Sequence, residues 1–178
     1  RNYTILPVCN IFYLKLKADN TSIDLIVPPL GLTAYQITKT TSTLKGVVSS
    51  YDITNLLNMM HLEKVAVGNT IVDILIEAFK CDGGAVYKEA PIGLKTTMIT
   101  AVAKIYTLPS ALYETYLKGP QTLGLKVRRT VISPRCASKL IQSQSNFPDT
   151  YFYVDLGGQI TTVTTINRGS PVSSLHID

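Results

Sequence analysis

Tryptophan is absent from this chain, histidine occurs twice, cysteine three times, and charged residues make up only 16% of it. Each scarcity closes off a class of function. His61 and His176 lie far apart and outside any metal-ligand spacing, so a histidine-based metal centre has no basis in the sequence. Cys9, Cys81 and Cys136 are widely separated and contain no Cys-x-x-Cys pair. They read as reduced, mostly buried thiols of a cytosolic protein. No apolar run reaches the roughly 18–20 residues that span a bilayer. Serines are many, but neither histidine neighbours a nucleophile together with an orienting carboxylate, so no hydrolytic triad can be read. The net charge of +5 is dispersed. Its densest cluster, Lys126, Arg128 and Arg129, lacks interleaved aromatics and reads as a solvated face, which argues against nucleic acid.

What is present is aliphatic and β-branched. A chain of 178 residues can bury one large core or two small ones. Tyr3–Val8 and Ile11–Lys17 read as a hairpin of core strands, and Leu25–Val27 as a short strand stopped by Pro28 and Pro29. Ala34–Thr41 alternates, with a solvent-facing Thr/Lys row. Ser50 is the expected N-cap of a helix over Tyr51–Met60, whose buried stripe is Ile53, Leu56, Leu57 and Met60. Thr70–Lys80 is β-rich, Cys81–Gly84 turns the chain, and Thr96–Tyr106 is a further strand. Thr107 and Pro109 suggest a helix start, and Gly119-Pro120 should break or kink that helix. Leu125–Ile132 is a strand, Pro134 opens a short helix, and Asn167-Arg168-Gly169 closes the last hairpin. The order points to a mixed α/β fold.

The segment with most chemical content is Tyr151–Ile166. An apolar run ends in Asp155, passes through Gly157 and Gly158, and continues into Thr161, Thr162 and a second β-branched run. Glycines let main-chain N–H groups approach an anion, and a carboxylate at a strand end can hold metal-bound water. The bland alternative is a turn carboxylate accepting N–H bonds from its own hairpin.

This segment resembles the second phosphate loop of actin-like ATPases, and the rest of the chain extends the likeness. From about Asp24 onward the chain is similar to the bacterial cell-division FtsA family. The residues that carry this are Pro28-Pro29-Leu30-Gly31-Leu32, the Thr-rich Gln36–Thr43, and Gly46-Val47-Val48 followed by Tyr51–Met60. Thr70–Phe79, Asp82-Gly83, Ala90–Leu94, Gly124–Val127, Ile132–Leu140 and Val154–Gly158 then follow in the family's order. The pilus-assembly protein PilM shares much of this pattern. The resemblance implies an actin-like, ribonuclease H-like core fragment with an inserted strand-helix-strand-strand subdomain. Residues 1–42 would be part of the first actin-like subdomain, 43–145 the insertion, and 146–178 the return to the core.

The resemblance also implies a function: a divisome protein that self-associates and links the FtsZ ring to the membrane and to later division proteins. It would sit in the cytoplasm at the inner face of the membrane, held by a segment this chain lacks. ATP and Mg²⁺ are the implied ligands, with Asp155, Gly157, Gly158, Thr161 and Thr162 as the binding residues and Asp155 at the metal. Two departures weigh against them here. Gln159 stands where the family has a small residue. The only candidate for the first phosphate loop, Pro7-Val8-Cys9-Asn10, has neither its Asp nor its Gly. Arg1 opens the chain without an initiator methionine, as in a fragment. The chain is therefore expected to act mainly as an interaction module, with an ATPase or a PilM-like pilus-assembly protein as the alternatives.

Overall fold

The computed structural model describes residues 5–8, 11–14, 22–142, 148–157 and 160–177. Along the chain run β1 (Ile5–Val8), β2 (Ile11–Leu14), β3 (Ser22–Val27), β4 (Thr33–Ser42), α1 (Ser50–His61) and β5 (Asn69–Cys81). A 3₁₀ turn over Asp82–Gly84 leads to β6 (Val86–Tyr87), β7 (Met98–Pro109), α2 (Ser110–Thr122), β8 (Lys126–Ile132) and α3 (Ser133–Gln142). The last three strands are β9 (Thr150–Leu156), β10 (Thr161–Asn167) and β11 (Ser170–Ile177). The fold is mixed α/β, mostly sheet with three α-helices among the described residues. It divides into two compact units: residues 30–116, and residues 1–29 together with 117–178.

In the unit of residues 30–116, the strand order is β4-β7-β5-β6, antiparallel throughout. Its core follows from period-two alternation in β7, where Ile99, Ala101, Ala103 and Ile105 are all fully buried. The two alanines leave room for α1, which packs on β4, β5 and β7 and brings Leu56 and Met60 onto Val48, Phe79, Cys81 and Ile99. Ile53 packs beside them as expected, while Leu57 is half-buried. β5 is long and interrupted: its pairing with β7 slips between Ile71 and Asp73 and again between Ile76 and Ala78. Each slip is a bulge that inserts an extra residue, which is why Val72 and Asp73 are buried in succession.

Three expectations for this unit change. The cap of α1 is Ser49, one residue before Ser50, because only there does the side chain reach Asp52 in a capping box. Thr107 does not start a helix. It is buried in β7, opposite Thr33 of β4 and Ile71 of β5, so ladder pairing on both sides keeps it extended. In β4, Lys39 leaves the solvent-facing row and turns with Tyr35 and Ile37 toward the helix side, where it pairs with Glu63.

The division between the units falls within α2, which is not broken at Gly119-Pro120 but runs on to Thr122. Pro120 lies in the last turn, so its missing N–H frees only one carbonyl. The stop comes at Gly124, in the left-handed region at φ +68°. Gly124 N–H donates to the Gln121 carbonyl and Leu125 N–H to that of Pro120, a Schellman end.

In the other unit, β1 and β2 form the expected antiparallel hairpin, β3 and β8 pair in parallel, and β9, β10 and β11 form a meander. α3 packs against β3, β8, β10 and β11, burying Pro134 and Ser138, and the Ser138 hydroxyl donates to the Gly169 carbonyl at 2.6 Å. The β3–β8 register shifts between Ile23 and Asp24, so Ile23 faces Val127 and Asp24 faces Arg129. Arg128 is the extra residue. Both guanidinium groups then reach Asp24, Arg128 Nε at 2.9 Å and Arg129 Nε at 2.8 Å. Lys126, Arg128 and Arg129 are exposed, as the solvated-face reading expects, and the two arginines hold the Asp24 carboxyl below its ordinary range, chiefly through Arg128.

These contacts also set the unit boundaries apart from the segments 1–42 and 43–145 suggested by the resemblance. β4 is laddered along its whole length to β7, and β8 to β3, so each goes with its partner strand.

Candidate functional site

The candidate loop joins β9 to β10. In β9, Tyr151, Tyr153 and Asp155 point to the half-buried side, and Phe152, Val154 and Leu156 to the exposed one. The register with β10 places Asp155 opposite Thr162 and Leu156 opposite Thr161. Asp155 and Thr162 therefore share a face, while Thr161 lies on the other, beside Leu156 and Ile177. Of the residues the resemblance pointed to, the structure brings these two together and turns Thr161 away. Gly158 and Gln159 lie outside the described residues, as do Cys9 and Asn10 of the first-loop candidate.

Gly157 has a structural task. Its N–H donates to the Ile160 carbonyl at 3.2 Å, closing the hairpin, and a Cβ at this position would collide with that same oxygen. An N–H engaged in the turn is not aimed at an anion. The Asp155 carboxylate has no hydrogen bond or ion pair to a described residue.

One polar residue of this face was missed in the sequence. His176 in β11 lies opposite Thr162, and Thr162 Oγ1 is 3.1 Å from His176 Nδ1. Asp155, Thr162 and His176 thus form one row across the meander. The sequence signal falls short by one residue: Asn167-Arg168-Gly169 predicts the hairpin, but equal counts back from it pair Thr162 with Leu175, and only the bulge after Thr165 moves His176 opposite Thr162. Below this row, Tyr153, Thr164 and Ser174 form a second, with 2.9 Å between the Thr164 and Ser174 hydroxyls. Burial, followed by the nearby Asp155 and Cys136, pushes the Tyr153 phenol up. A carboxylate, a hydroxyl and an imidazole in line can bind a polar group. No three metal-ligating side chains converge anywhere among the described residues.

The opposite face of the meander is apolar and open. Phe152, Val154 and Leu156 of β9 are exposed at 73%, 49% and 80%, and Leu175 and Ile177 of β11 continue the patch in register. Of the helix tyrosines, Tyr113 on α2 is half-buried, whereas Tyr51 on α1 is exposed. Of the cysteines, Cys81 is buried and Cys136 half-buried, neither of them in a disulfide, and Cys9 lies outside the described residues. No helix among the described residues is long and apolar enough to cross a membrane.

No protein-family model matches the chain, and no curated protein matches it. Among solved structures, the chain is similar to one in a PilM-PilN type IV pilus biogenesis complex, with a TM-score of 0.51 and 11% sequence identity. The match covers 90% of this chain and 44% of that one. This chain thus spans less than half the length of its structural neighbour, and at such low identity the likeness concerns the fold alone.

Proposed function

We propose that this chain is the protein-interaction part of an actin-like assembly protein rather than a nucleotide-hydrolysing enzyme. The observation that carries this reading is the exposed apolar face of the meander, Phe152, Val154 and Leu156 with Leu175 and Ile177. Contiguous apolar surface of this kind marks contact with another macromolecule. The fold likeness to a chain of a PilM-PilN complex supports an actin-like architecture, and it favours pilus assembly as the setting. Motif order, on which the FtsA resemblance rests, supports cell division as the second setting. In that case the partners are FtsZ and later division proteins, at the inner face of the membrane. On either reading, residues 43–145 would be the inserted strand-helix-strand-strand subdomain that the resemblance implies.

ATP and Mg²⁺ remain the alternative. They would be held at Asp155, with Gly157, Gly158, Thr161 and Thr162 around the phosphates. The engaged N–H of Gly157 and the outward turn of Thr161 weigh against it.

Binding of the purified chain to an immobilised PilN-type protein, to FtsZ and to ATP·Mg²⁺ separates the readings. Saturable binding to the first alone assigns pilus assembly, and binding to the second alone assigns division. Binding of nucleotide with neither protein overturns the interaction reading.

A further inference from the structure

Natural sheets protect their edges with bulges, prolines, charges or very short strands, because an unprotected edge recruits another strand. The sheet of residues 30–116 has two edges, and they are treated differently. On the β5 side the strand carries two bulges and its end is covered by β6. On the other side β4 runs ten residues in unbroken register with β7, without a proline or a bulge. Its one charge, Lys39, is drawn to Glu63 and does not guard the edge.

The hydrogen-bond phase identifies which β4 residues face outward. Thr43 N–H donates to the Thr97 carbonyl, continuing the β4–β7 register, while Ser110 N–H donates to the Gly68 carbonyl, continuing that of β5–β7. Odd-numbered residues of β7 thus bond β4 and even-numbered ones bond β5. In β4 the odd-numbered residues bond β7, which leaves the main-chain groups of Ala34, Gln36, Thr38, Thr40 and Ser42 turned outward. All five residues are exposed, and no described residue bonds their outer side.

We propose that this edge pairs with the same edge of a second copy of the chain, β4 against β4 antiparallel, with the two-fold axis at Thr38. This deepens the interaction reading by naming one surface and its partner. The choice of register follows from bond count and charge. Only even residues can pair with even ones, and an axis at Thr38 sets Thr38 against Thr38, Gln36 against Thr40 and Ala34 against Ser42. That uses all five outward residues, for about ten main-chain bonds. An axis at Ile37 uses four, and one at Lys39 sets two ammonium groups face to face, which is repulsive. In the favoured register Lys39 lies opposite Ile37. Every outward pair is neutral, and the Thr and Gln side chains can hydrogen-bond across the seam. A self-complementary edge of this kind suits an isologous dimer.

The test is sedimentation of the full chain over a concentration series, with cysteine crosslinking to read the register. The chain is expected to form a dimer. Thr38→Lys, at an exposed position, should keep the native circular dichroism spectrum and weaken dimerisation on the order of tenfold or more, by apposing two lysines. Under oxidation Thr38→Cys should crosslink, because facing Cα atoms of a hydrogen-bonded pair lie about 5.5 Å apart, within disulfide reach. Ser42→Cys should not, because its counterpart in the partner is Ala34. A monomer at every concentration, equal crosslinking by both cysteine variants, or a dimer indifferent to Thr38→Lys would each overturn the proposal. Those results would leave the partner-binding experiment above untouched, since it probes a different face.

Discussion

Ser49 and Asp52 hold each other across the first turn of α1: the Ser49 N–H and hydroxyl donate to Asp52 Oδ2 at 2.8 and 2.7 Å, and Asp52 N–H donates back to Ser49 Oγ. The pair is placed where the chain leaves β4 for the helix that covers the core, and Asp52 is buried. Ser49→Ala should therefore cost about 1 kcal/mol in chemical denaturation. Ser50→Ala, one residue further on, should fall within about 0.5 kcal/mol of the parent. Equal losses would place the cap elsewhere.

The same cap makes stability sensitive to acid. The Ser49 hydroxyl, followed by its N–H, holds the Asp52 carboxyl below the ordinary 3.8. Asp82 is lowered in the same direction by the Thr97 hydroxyl and N–H, and Asp24 by Arg128. A carboxyl depressed in the folded state contributes stability that is present above its unfolded value and lost as pH falls through the folded one. Stability should be flat from neutrality to about pH 5 and fall below pH 4. Asp52→Asn should be less stable at pH 7 and show a shallower acid slope. An unchanged slope would remove Asp52 from this account.

Core packing under α1 gives the largest effect. Leu56 is fully enclosed by the sheet, so Leu56→Ala should cost about 2–5 kcal/mol. Leu57, half-buried on the same helix, should cost clearly less. Thermal and urea unfolding of the two variants side by side measure the difference.

At the β9–β10 turn, structural and ligand roles can be separated. Gly157→Ala forces a methyl group against the Ile160 carbonyl and should destabilise the chain by about 1–3 kcal/mol with no nucleotide present. Asp155→Ala, which removes no bond to a described residue, should stay within about 0.5 kcal/mol. If Asp155→Ala also abolishes a measurable ATP·Mg²⁺ affinity, the carboxylate has a ligand role and the ATPase alternative gains.

Asp24 joins two arginines, all at least partly solvated. Asp24→Asn should cost no more than about 1 kcal/mol, and the loss should shrink in high salt. A salt-independent loss would point to packing at the β3–β8 bulge instead.

Much of the architecture was legible along the chain because it rests on local physics. Alternation in Met98–Pro109, the helical stripe of Leu56 and Met60, the turn at Asn167-Arg168-Gly169 and the proline stop after Val27 each act over a few residues. The misreadings have a common cause. Thr107 and Pro109 carry helix-start chemistry, but pairing with Thr33 and Ile71 on either side holds Thr107 in the ladder. The ion pairs that the solvent-facing Arg128 and Arg129 make were out of local reach for the same reason, because a register shift brings Asp24 to them from more than a hundred residues away.

By itself the sequence determined the mixed α/β class, most elements, and the Asp155–Thr162 hairpin, since period, turn chemistry and glycine placement are read within a few residues. Only the tertiary structure decided which strands are neighbours, where β5 bulges, that Thr161 turns from Asp155 while His176 joins Thr162, and that the outer edge of β4 is open. Those outcomes depend on strand order and register. A change of one residue in register reverses every side chain's face, and pairing across long loops is set by the packing of the whole sheet.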